Sequence, residues 1–175
     1  WIDVSATGKP DHGAHVHRGI NAIERLSAAM TVLSTLNDFP VTTPPGVART
    51  IAAAKAVSEP LGGEGEARVM QSVTVNFGRI AGGISANLVA DRAELNADIR
   101  LPLGTSVSGI ETEIDRLLKP LDGISYEIIR RYEPTWTSPD DPIVLAVAGA
   151  CEAVLGCPPA VNMRVGASDA RLYRA

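Results

Sequence analysis

Apolar and polar residues alternate at the start of this chain, with Ile2, Val4 and Ala6 interleaved among Asp3, Ser5 and Thr7. That period of two predicts a strand with one buried face. A longer period follows: Ile23, Leu26, Met30, Leu33 and Leu36 recur at three- and four-residue steps and predict an amphipathic helix over roughly Ile20 to Asn37. Alternation returns at Val73, Val75 and Phe77, and again at Ala93, Leu95, Ala97 and Ile99, as two half-exposed strands either side of Gly82-Gly83. Pro102 and Gly104 end the second of these. Val107, Ile110, Ile114, Leu117 and Leu118 then predict a second amphipathic helix, with Pro120 and Gly123 beyond its end, and Ile124, Tyr126 and Ile128 a fourth strand.

The order β-α-β-β-α-β over residues 1–132 predicts an α+β, ferredoxin-like domain: a four-stranded antiparallel sheet with two helices on one face, leaving the other face and an edge free. Between the first helix and second strand, Asp38 to Arg68 holds four prolines and a Gly-Gly-Glu-Gly run around an alanine-rich patch, Val47 to Glu59. It reads as a mobile insertion with a short helix. After Pro134 to Pro139, Asp141-Pro142 caps a helix carrying Ile143, Val147, Cys151 and Val154 and ending at Gly156; Val161 to Val165 is expected as a short strand, and Gly166 to Arg171 turns into a helix start. These last elements lack apolar partners among the first 132 residues. With a first residue of Trp instead of Met, the expectation is a piece of something longer, in which 133–175 begins a truncated second domain of α/β type.

Composition removes several function classes. A net charge of -4 and a pI near 5.4 do not give the basic footprint of a nucleic-acid binder. No apolar run reaches a bilayer span, and no basic segment precedes an apolar one as in a secretory leader. Cys151 and Cys157 read as two reduced thiols near a helix end, so a cytoplasmic location is expected.

The candidate chemistry lies in one stretch, Gly8 to Ile23, which contains all three histidines: His12, His15 and His17. A metal site is the weaker interpretation, because only Asp11 stands beside them and an extended segment would send His12 to the opposite side from His15 and His17. His15 reads as a solvated loop residue. His12, flanked by Gly8 and Gly13 where the backbone is little shielded, is the better functional candidate. A triad of Ser168, His12 and Asp169 is also conceivable, but Gly166-Ala-Ser-Asp is not a strained nucleophile elbow. Gly82 to Asn87 reads as a hairpin turn in preference to a phosphate nest. Arg100, on the polar side of its strand, is either a solvated charge or a carboxylate fork; Arg171 stands where a helix start would repel a cation.

Taken together, Gly8-Lys-Pro-Asp-His-Gly, His17-x-Gly-Ile-Asn-Ala-Ile23, Gly82-Gly-x-x-x-Asn87-Leu-Val, Ala97-Asp-Ile-Arg100 and Gly166-Ala-Ser-Asp-Ala-Arg171 resemble the ordered motifs of the M20 metallopeptidase family. That resemblance implies a lid, or dimerisation, domain followed by the start of a returning catalytic domain, in an amidohydrolase acting on N-acyl amino acids or short peptides. His12 then matches the lid histidine that reaches into the partner subunit's site to stabilise an oxyanion. Asn87, Arg100 and Arg171 match residues that hold the substrate's carboxylate or acyl end. Two zinc or cobalt ions are implied for the parent enzyme, with their ligands outside this chain, so the chain alone is expected to bind no catalytic metal and to be inactive. The chain departs from the motifs at Val16 and Ala90, where proline is frequent, and at Ala167, where threonine or glycine is common. The alternative is a stand-alone ferredoxin-like module that binds a small ligand or dimerises.

Overall fold

The first alternation becomes strand β1, Ile2–Thr7, in which Ile2, Val4 and Ala6 are buried, in a computed structural model that describes residues 1–164, 166 and 168–173. By contacts the chain divides into two units, one of residues 1–39, 73–101 and 106–133, the other of 40–72, 102–105 and 134–175.

The first unit is a four-stranded antiparallel sheet of order β2-β3-β1-β4, with β2 Thr74–Gly82, β3 Arg92–Arg100 and β4 Ile124–Ile128. β1 is central: Val4 lies opposite Leu95 on one side and Tyr126 on the other. Helix α1, Ala22–Ser34, turns Leu26, Ala29 and Leu33 inward, and its first turn is held by the Asn21 side chain, which accepts from Ile23 N–H. It is shorter than its apolar period suggested, because Thr35–Asp38 tightens into a 3-10 turn that still buries Leu36. The second sheet-packed helix of the pattern, Val107–Leu118, buries Ile110, Ile114 and Leu118. A bulge at Gly78 shifts the β2 register between Phe77 and Arg79. Phe77 pairs with Ala97 and Ile80 with Leu95 on the helix face, whereas Arg79 pairs with Asn96 on the open face.

The stretch from Asp38 to Arg68, which lies in the second unit from Pro40 onward, corrects the expectation of a short helix. Helix α2 runs over 18 residues, Pro45–Gly62, and α3 adds Glu66–Val69. Val47 and Ile51 pack with Ala67 and Met70, and Leu103, Trp136 and Met163 close over them. With α3 counted, Val107–Leu118 is α4. Helix α5, Pro142–Leu155, starts on Asp141 and Pro142 as its caps predict, yet buries no residue. The strand expected at Val161 to Val165 does not form over Val161–Arg164, and Val165 and Ala167 lie outside the described residues. Cys151 and Cys157 are free thiols.

Candidate functional site

The connection from Gly8 to Asn21 is closed at its neck by reciprocal backbone bonds: Lys9 N–H donates to Ile20 (2.8 Å) and Ile20 N–H donates to Lys9 (2.9 Å). Gly8 permits this neck, since a Cβ there would collide with the carbonyl oxygens of Ile20 and Ala90. The β2–β3 hairpin lies along the same connection. Val89 N–H donates to Asp11 (2.9 Å), Gly13 N–H to Asn87 (2.7 Å), Gly8 N–H to Asp91 (2.7 Å) and Ala22 N–H to Ala90 (2.9 Å), and His12 bridges antiparallel to Leu88. Residues 11–13 and 87–89 thus form a two-stranded clip in which His12 lies opposite Leu88 and Gly13 bonds to Asn87.

His12 caps a 3-10 turn, Gly13–Arg18, and its Nδ1 accepts from Ala14 N–H at 3.1 Å. The neutral ring therefore carries its proton on Nε2 and offers it, at an exposed position, as a donor. In Asn87 the side-chain oxygen accepts from the Ser85 hydroxyl, so the amide nitrogen is the end that can donate. Both donors suit an oxygen carrying negative charge.

The connection is a turn, not the extended segment expected, and this corrects the placement of the histidines. His15 neighbours both of the others, with ring centroids 6.1 Å from His12 and 6.1 Å from His17. Among the described residues, no three His, Cys, Asp or Glu side chains are placed to hold a metal ion. The donor set does not fit a zinc or cobalt centre.

Arg100 ends β3 at the opposite end from the hairpin. Eight residue steps separate Arg92 from Arg100, roughly 26 Å at about 3.3 Å per residue. On the open face its Nε and one terminal nitrogen donate to Asp98 Oδ2 at 3.0 and 2.9 Å. The same face carries a polar depression of about 440 Å³ lined by Asp3, Arg79, Glu94, Asn96 and Glu127, which includes neither His12 nor Asn87. In the second unit Arg171 sits in a 3-10 turn, Asp169–Leu172, with Asp169 at 4.0 Å. The structure thus pairs the segment that holds His12 with the segment that holds Asn87, and sets Arg100 at the far end of β3.

Asp11, which the sequence offered only as the lone carboxylate beside the histidines, is joined at this site by Arg18, which the pattern did not single out. Asp11 Oδ1 accepts from His12 N–H at 2.8 Å, and Arg18 Nε lies 3.2 Å from Asp11 Oδ2. The ion pair spans an irregular 3-10 turn, so no helical or strand period announced it.

Comparison with known proteins gives one coherent answer. The M20 peptidase dimerisation domain family matches residues 1–124. An acetylornithine deacetylase of Proteus mirabilis is 28% identical over 149 residues, 82% of this chain and 34% of that protein. A probable carboxypeptidase of Talaromyces marneffei is 34% identical over 101 residues, 58% of this chain and 18% of that protein. Among solved structures, an M20 family metallo-carboxypeptidase from Sulfolobus solfataricus superposes with a TM-score of 0.72 at 16% identity, over 98% of this chain and 47% of that one. Human carnosine dipeptidase 1 gives 0.65 at 14% identity, over 95% of this chain and 44% of that one. The chain spans about a third of the length of the first of these relatives.

Proposed function

This chain belongs to the M20 peptidase dimerisation domain family, and from that membership we propose that it is the lid of a homodimeric, metal-dependent amidohydrolase that cleaves N-acyl amino acids or short peptides. The cap at His12 supports this reading, because its Nδ1 accepts from Ala14 N–H and leaves Nε2 as a donor at an exposed position. As the amide carbonyl goes tetrahedral, His12 donates to its oxygen and offsets the developing charge. Arg100 and Arg171 present guanidinium forks for the substrate's carboxylate.

The separation within β3 bears on how these groups cooperate. Arg100 stands roughly 26 Å from the hairpin end of its strand, farther than an N-acyl amino acid extends. His12 and Asn87 of one subunit would therefore serve a substrate held by Arg100 of the other. The zinc or cobalt ions implied for such an enzyme would supply an activated water; the described residues offer no group to hold them, and the chain alone is proposed to be inactive. A cytoplasmic location belongs to the same proposal and rests on the two free thiols, Cys151 and Cys157.

In the full-length enzyme His12→Ala should lower kcat by about 10²- to 10³-fold with KM little changed. A loss confined to KM would remove the oxyanion role. Mixing His12→Ala subunits with subunits lacking a metal ligand should restore activity in roughly a quarter of the sites, since half of the random dimers are hybrids with one intact site each. No recovery would place His12 in its own subunit's site.

A further inference from the structure

We propose that Asp11 and Arg18 form a positioning pair that fixes the imidazole of His12. The proposal rests on the reading of His12 as an oxyanion donor and adds to it what holds that donor in place.

The turn Gly13–Arg18 contains no buried side chain, and His15 departs from helical geometry within it at φ −121°, ψ 41°. Apolar packing therefore does not orient it. Polar ties do the work instead, and they converge on His12. Its N–H donates to Asp11 Oδ1 (2.8 Å), its carbonyl accepts from His15 N–H (2.7 Å), and its Nδ1 accepts from Ala14 N–H (3.1 Å). The other carboxylate oxygen of Asp11 meets Arg18 Nε at 3.2 Å, tying the last residue of the turn to the residue before its cap. Asp11 is also pinned from behind, because its carbonyl accepts from Val89 N–H.

The exposures favour this role. The Asp11 side chain is 16% exposed and that of Arg18 is 61% exposed. An ion pair with one partner largely in water contributes little to global stability. Its effect falls on local geometry: with the clamp open, the turn can rotate about His12 and carry Nε2 off line. Misplacement of a reacting group by about an ångström can lower a rate by about a hundredfold.

The test uses the full-length enzyme and five variants. Asp11→Ala should lower kcat by about 10-fold or more, with KM within about twofold and the thermal midpoint nearly unchanged. Asp11→Asn keeps an acceptor for His12 N–H and should restore most of the loss. The double variant Asp11→Ala/His12→Ala should be no slower than His12→Ala alone, because a residue acting only through another adds nothing once that residue is gone. Arg18→Ala should fall between wild type and Asp11→Ala. A wild-type kcat in Asp11→Ala, or multiplicative losses in the double variant, would overturn the positioning pair while leaving His12 in its role. If His12→Ala itself has no effect on kcat, the underlying reading fails. Nitrogen-15 NMR of His12 supplies a readout apart from turnover: the Nε2–H tautomer should dominate the neutral ring and give way to mixed tautomers in Asp11→Ala.

Discussion

At Gly8 the absence of a single methyl group lets two backbones meet. A Cβ there would run into main-chain oxygens of Ile20 and Ala90, which cannot move aside as the tip of a flexible side chain can. Gly8→Ala should therefore destabilise the first unit by about 1–3 kcal/mol, whereas Gly149→Ala on α5, with nothing within 4 Å, should be neutral or stabilise by up to about 1 kcal/mol. Urea unfolding of the two variants checks the contrast, and equal midpoints would mean that the neck of the connection is not tightly closed. The sequence marked Gly8 and Gly13 as flanking His12, but only as places of thin shielding. Their function is close approach, made at Gly13 by a backbone bond to Asn87, 74 positions away, that leaves no trace in side-chain pattern. The chemical type of each residue was legible; the pairing was not.

Between residues and the whole, α4 and β4 are joined through one carboxylate. Tyr126 hydroxyl donates to Asp115 Oδ1 at 2.7 Å, and Lys119 Nζ donates to Asp115 Oδ2 at 2.9 Å. Burial first, and then the bond to the carboxylate, push the phenol up to about 12. Asp115 is held below its usual range, by Lys119 first and Tyr126 second. The signs are opposite. The tyrosine contributes stability that is full below its ordinary value near 10 and is lost as pH rises toward about 12; the aspartate contributes stability present above the carboxylate range and lost as pH falls through its lowered value. Tyr126→Phe should cost about 0.5–1.5 kcal/mol at pH 7 and flatten the alkaline limb, read as urea midpoints at pH 7 and pH 11. A variant limb as steep as that of wild type would assign the alkaline loss to other groups. These sheet-packed elements were legible because each shows one face to a core and the other to water, so period and burial coincide. Helix α2 was underestimated since Pro44, Pro45 and Pro60 read as breakers, although Pro45 occupies the first helical position, where it needs no N–H partner, and Pro60 falls in the last turn. The short strand expected near Val161 has no neighbouring strand in its own unit over Val161–Arg164, and alternation without a partner does not make a sheet.

At the scale of the molecule, the proposed dimer requires a surface through which two copies of this chain can join. The sheet has two edges, β4 of five residues and β2 of nine. Long apolar edges are the ones that pair with another chain, while short ones are protected. Past the Gly78 bulge, β2 runs through Arg79, Ile80, Ala81 and Gly82, all exposed, with Ile80 at 56% and Ile23 of α1 at 42% on the same helix-side face. This stripe would leave water if two β2 strands aligned antiparallel about a twofold axis, joining two four-stranded sheets. Ile80→Lys places a charge in that stripe without touching the core. It should leave monomer stability within about 0.5 kcal/mol of wild type, shift the full-length enzyme from dimer to monomer in sedimentation, and abolish the recovery of activity when complementary inactive subunits are mixed. The two readouts separate the causes: a monomer that still turns over would show that His12 acts within its own subunit, and a dimer that persists despite the lysine would move the interface away from β2.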